Sequence, residues 1–105
     1  MKYSWYQTSN RDYRFESLDY AQENGFKISD YDLVLEGDLE DGNGSDDDLL
    51  ELLYTKMNTD YSAHPGIRSM SMSDIVVLSE DDGWNVRAYY CDDIGWTKLD
   101  FWKDM

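Results

Sequence analysis

One cysteine, one proline and one histidine among 105 residues remove most of the covalent and catalytic devices a small protein can use. Cys91 has no internal partner for a disulfide, and one thiol with one imidazole falls short of a zinc site, so the fold must hold without staples. Basic residues are scarce as well: nine Lys and Arg stand against 23 Asp and Glu, for a net charge of −14. A field of that sign repels nucleic acid and anionic lipid, which are held by clusters of Lys and Arg, so neither is an expected direct ligand. No apolar run approaches the roughly 20 residues of a membrane span. The opening Met1-Lys2-Tyr3-Ser4-Trp5 lacks the apolar stretch of a signal peptide, which predicts a cytoplasmic protein of the host cell. The chain is too short for a second core, so residues 1–105 read as a single domain.

Aromatic residues are plentiful. Four Trp and nine Tyr, within a hydrophobic share of 41%, exceed what disordered chains carry, so the chain has the apolar surface to fold. Tyr3, Trp5 and Gln7 alternate with Lys2, Ser4 and Tyr6, the period of a strand over about 2–8. Phe15, Leu18, Ala21 and Gln22 recur at helical spacing, with Ser17 as N-cap and Gly25 as stop. Residues 31–37 read as a second strand ending in glycine, and 38–48 as an acidic insertion loop. Leu49, Leu50, Leu53 and Met57 make one apolar face of a helix over about 47–58, capped by Asp46 or Asp47. The stretch from Asn58 to Ser73 reads as an irregular connection. Ile75-Val76-Val77-Leu78 is apolar on both faces, as a central strand is, and Asp81-Asp82-Gly83 turns it into a hairpin partner at about 84–91. A short strand or helical turn follows over 96–102. The expected fold is α+β: a mixed or mainly antiparallel sheet of four or five strands with two helices packed on one face.

Ser69-Met70-Ser71-Met72-Ser73-Asp74-Ile75-Val76-Val77-Leu78, followed by Ala88-Tyr89-Tyr90-Cys91-Asp92-Asp93-Ile94-Gly95-Trp96, resembles the YodL-like domain. The order of earlier pieces is similar too: Tyr6-Gln7, Arg14-Phe15, the strand carrying Tyr31, Val34, Glu36 and Gly37, and Met57-Asn58. The acidic insertion, Asp60-Tyr61-Ser62-Ala63 before His64-Pro65, and Cys91 depart from the pattern. The resemblance implies a small accessory domain common on mobile genetic elements of Gram-positive bacteria.

Between Lys27 and Lys56 there is no basic residue, whereas Asp30, Asp32, Glu36, Asp38, Glu40, Asp41, Asp46, Asp47, Asp48 and Glu51 are all acidic. A charge run is ordinarily a solvated face. Carboxylates two apart on a strand, however, project from one face about 6.6 Å apart, close to twice the roughly 3.4 Å phosphate rise of a DNA strand. That pattern imitates a phosphate backbone and suits a protein partner with a basic nucleic-acid groove. Trp84 and Trp102, near a turn and the terminus, are the candidate exposed aromatic anchors.

Calcium fits the loop poorly. Counting from Asp41, Asp46 stands where an EF-hand needs glycine, and Leu52 where it needs the bidentate Glu. Cys91 beside Asp92 and Asp93 reads as a structural thiol, His64 and the Asp81-Asp82 pair as turn residues, and no nucleophile–base pair is evident. The residues therefore predict a non-catalytic protein with no cofactor or metal. One reading is an anti-defence inhibitor that mimics nucleic acid against a type II CRISPR effector nuclease or a restriction enzyme. The other is an interaction module that binds a cellular structural or regulatory protein through exposed aromatics. Composition leaves the oligomeric state open.

Overall fold

Alternation of apolar and polar residues builds the first strand, β1 (Lys2–Thr8), which buries Tyr3 and Trp5 on one side. A computed structural model describes residues 1–39, 45–59, 69–80 and 82–99. Its elements run β1, α1 (Leu18–Glu23), a 3₁₀ turn (Ile28–Asp30), β2 (Tyr31–Asp38), α2 (Asp46–Thr59), β3 (Ile75–Ser79), β4 (Arg87–Cys91) and β5 (Trp96–Leu99). The strands form one antiparallel sheet in the order β2-β1-β3-β4-β5. The most apolar strand, β3, is therefore central, and the α+β class and five strands agree with the sequence.

The placement of the helices differs from the expectation that both lie on one face. Leu49, Leu50, Leu53 and Met57 of α2 pack with Tyr3, Trp5, Val76 and Leu78. Leu18 and Ala21 of α1 pack instead with Ile75, Ala88 and Tyr90. Successive residues of β3 point to opposite faces. A strand apolar on both sides needs cover on both, so each helix takes one.

Each end of the chain's connections is set locally. Ser17 accepts the Tyr20 amide at 3.3 Å and caps α1, as its position predicts. The cap of α2 is Ser45 rather than Asp46 or Asp47: the Asp48 amide donates to Ser45 Oγ at 3.3 Å, and the Ser45 amide donates to Asp48 Oδ2 at 3.3 Å. This reciprocal pair is a capping box with Asp in place of Glu, and it leaves Asp46 free for another role. The β3–β4 hairpin is wider than expected. Its turn uses positive φ at Gly83 (87°) and Asn85 (56°), so β4 begins at Arg87 instead of Trp84. The serine-alternating run belongs to the irregular connection: the Asp74 amide donates to Ser71 O at 3.0 Å and closes a turn with Ser73 at φ 84°.

Candidate functional site

The sheet register sorts the candidate carboxylates. Lys2 pairs with Asp38 on one side and Ser79 on the other, and Arg87 pairs with Leu78. The end of β2, the β3–β4 hairpin and, through an ion pair with Arg87, the start of α2 thus share one pole of the molecule. Asp38, Asp47 and Asp48 are exposed there, with Asp82 in the hairpin turn. Trp84 sits in the same turn with 72% of its surface exposed; its amide donates to Asp82 Oδ1 at 3.1 Å, and its carbonyl accepts from the Glu80 amide at 2.9 Å.

Asp46 and Arg87 tie this pole together. Arg87 Nε donates to Asp46 Oδ2 at 2.5 Å and Arg87 Nη2 to Asp46 Oδ1 at 2.7 Å, a two-point grip of guanidinium on carboxylate. Tyr89 Oη also donates to Asp46, and Arg87 Nη1 lies 3.5 Å from Glu80. The Arg87 bonds hold the Asp46 carboxyl below its ordinary value despite partial burial. Burial, with the Asp46 bond in support, pushes the Tyr89 phenol up to about 12. Asp46 is accordingly an anchor rather than a free contact.

The remaining candidates are dispersed. Between Trp5 and Tyr6 the register slips, since Trp5 pairs with Leu35 and Tyr6 with Leu33, leaving Val34 as an extra residue in β2. Glu36 and Asp38, opposite Ser4 and Lys2, keep the two-residue spacing on the α1 side. Asp32 pairs with Gln7 and projects to the other side, so the regular row expected along β2 is broken by the bulge. Asp30 lies at the opposite pole, accepting from Asn10 Nδ2 at 2.8 Å and Tyr13 Oη at 2.9 Å; these bonds lower its pKa. Glu51 is exposed on the second turn of α2, facing a cleft beside the β4–β5 turn. Glu40, Asp41 and Trp102 lie outside the described residues, as do His64 and Asp81.

A buried polar centre escaped the residue pattern. Asp74 is fully buried, and its Oδ2 accepts from Trp5 Nε1, Gln7 Nε2 and the Ser71 amide, each at 3.0 Å. The Ser71 amide is a local donor, whereas Trp5 and Gln7 lie 69 and 67 residues away. Nearby, Ser73 accepts the Phe15 amide through Oγ at 3.0 Å and the Tyr31 hydroxyl through its carbonyl at 2.5 Å. Both Phe15 (φ 68°) and Ser73 hold left-handed backbone, a cost of about 1 kcal/mol or more each that the surrounding bonds must offset. Cys91 is buried, and desolvation followed by Asp74 and Glu51 pushes its thiol up to about 12, in keeping with a structural thiol.

The order of these parts, with turn, central strand, hairpin and the Cys91–Trp96 turn in succession, extends over the whole sheet, and a YodL-like domain model matches residues 2–101. The chain belongs to the YodL-like domain family. No curated protein and no solved structure matches it. Within this YodL-like domain the described residues hold no group of three or more His, Cys, Asp or Glu placed to bind a metal ion. No helix among them is long and apolar enough to cross a membrane.

Proposed function

We propose that this YodL-like domain is a non-catalytic inhibitor whose acidic pole occupies the basic nucleic-acid groove of a defence nuclease, a type II CRISPR effector or a restriction enzyme. The observation that carries this reading is the convergence at one pole of carboxylates from three separate elements: Asp38 ending β2, Asp47 and Asp48 opening α2, and Asp82 in the β3–β4 turn. Arg87 fixes two of these elements to each other through Asp46 and Glu80. A rigid carboxylate array loses little freedom on docking and steers association with a positive channel. In an RNA-guided nuclease such channels hold the guide–target duplex, and arginines read the adjacent motif.

The test is affinity for the purified nuclease, with and without its nucleic acid, across ionic strength. The expected result is at least about tenfold weaker binding between roughly 50 and 300 mM salt, and competition by nucleic acid. Asp47→Asn combined with Asp48→Asn should weaken it further. Binding indifferent to salt and to both substitutions overturns the mimic.

A second reading rests on Trp84 alone. Its 72% exposure is unusual for so large an apolar ring and matches the anchor of an interaction module for a cellular structural or regulatory protein. On that reading Trp84→Ala abolishes binding while charge neutralisation leaves it largely intact.

A further inference from the structure

A cleft of about 280 Å³ opens between α2 and the β4–β5 turn, at the end of β4 opposite the acidic pole. Two half-buried aromatic side chains, Tyr54 and Trp96, line it together with Met72 and three acidic residues, Glu51, Asp92 and Asp93. Among the described residues, no basic residue lines it. Lys98, which shares the sheet face of Trp96, acts on Asp46 toward the far pole.

Size and chemistry narrow the occupant. Sites for drug-sized ligands run from about 300 to 1,000 Å³, so this cleft lies at the small end and has room for one flat side-chain group. Its carboxylates are not clustered as a metal site requires, since no described group of His, Cys, Asp and Glu could hold an ion. Spread acceptors beside aromatic rings suit instead a large, flat, delocalised cation, which stacks on a ring face while its edge donates to carboxylates. Tyr54 and Trp96 both pack against the core beneath α2, so their rings are positioned in advance. Asp92 turns its carboxylate to the α1 side, where it accepts from the Leu18 amide at 3.2 Å, the Asp93 amide at 2.9 Å and Thr97 Oγ1 at 2.7 Å; it shapes the turn that carries Asp93 and leaves Glu51 and Asp93 as the acceptors facing the cleft.

We infer that this cleft is a binding site for the guanidinium group of an arginine side chain presented by a protein partner, stacked on Trp96 or Tyr54 and bonded by Glu51 and Asp93. The site is separate from the acidic pole and does not depend on the nuclease reading.

The probe is the blocked tripeptide acetyl-Gly-Arg-Gly-amide, titrated into the full chain while the indole N–H signals are followed by NMR, with Trp96→Phe identifying the Trp96 signal. A saturable shift of that signal, with a Kd of about 1–10 mM, is expected of one desolvated cationic contact. The citrulline counterpart, of equal shape and no charge, should bind at least fivefold more weakly. Glu51→Gln, an exposed position, should cost a similar factor. Asp47→Asn with Asp48→Asn should leave this Kd unchanged, which separates failure here from failure of the acidic pole. Absence of a saturable shift, equal binding by citrulline, or an unaffected Glu51→Gln variant overturns the site. Equal binding by the lysine counterpart overturns the assignment to guanidinium.

Discussion

Asp74 shows how much one side chain can carry. It accepts the indole of a Trp that is 1% exposed, the amide of Gln7 and a turn N–H, all on one oxygen. Removing it would strand the Trp5 indole donor in the core and take an acceptor from Gln7, whose amide still reaches Ser69 O at 3.3 Å, and from the Ser71 amide; an unsatisfied buried donor costs about 1–3 kcal/mol. Asp74→Ala should therefore destabilise the domain by roughly 3 kcal/mol or more, read as a lower urea midpoint with unchanged slope. Asp74→Asn, which keeps an acceptor oxygen, should cost clearly less; equal costs would mean that charge rather than hydrogen bonding matters. The value of this residue was only partly legible, because a Ser-Asp pair announces a turn but not the distant indole that completes it.

Among the elements, α2 depends on two different carboxylates that look alike in sequence. Asp48 closes the capping box with Ser45, whereas Asp46, two residues earlier, reaches across to Arg87 and Tyr89 on β4. The Arg87 side chain is 10% exposed and that of Asp46 24%, so the pair is partly desolvated and breaking it leaves an uncompensated charge. Arg87→Met should cost about 2 kcal/mol of stability in urea denaturation, and the double variant Arg87→Met with Asp46→Asn less than the two single costs combined. Full additivity would refute the coupling. The helices and strands themselves were readable from period and punctuation, including Ser17 as cap. The bulge at Val34 was not, because a single extra residue leaves the composition of a strand unchanged while reversing which face its carboxylates take.

For the whole molecule, charge sets the pH response. Asp30, Asp46 and Asp92 all have folded pKa values below the ordinary 3.8. Their causes differ: bonds from Asn10 and Tyr13 for Asp30 and from Arg87 for Asp46, while for Asp92 burial works upward and is outweighed by bonds from Thr97 and the Asp93 and Leu18 amides. As pH falls, the unfolded chain takes up these protons first, so their contribution is complete above the unfolded value and is lost as pH drops through the folded ones. Relief of the repulsion inherent in a net charge of −14 works the other way at milder pH. Thermal stability should therefore hold or rise from pH 7 to about 4.5 and fall below about 3.8. Stability that continues to rise through pH 3 would show that repulsion, not these three bonded carboxylates, dominates.

What the sequence determined by itself was the two helices and the first four strands, the central position of β3, the family and the sign of the surface, because period, caps and net charge are properties of neighbouring residues. Tertiary structure decided the rest. A strand apolar on both faces demanded a helix on each, the bulge divided the β2 carboxylates between them, and Arg87 turned Asp46 from a contact into an anchor. The aromatic, acidic cleft exists only because α2 and the β4–β5 turn, some 40 residues apart in the chain, are brought together by a sheet whose strands pair across long separations.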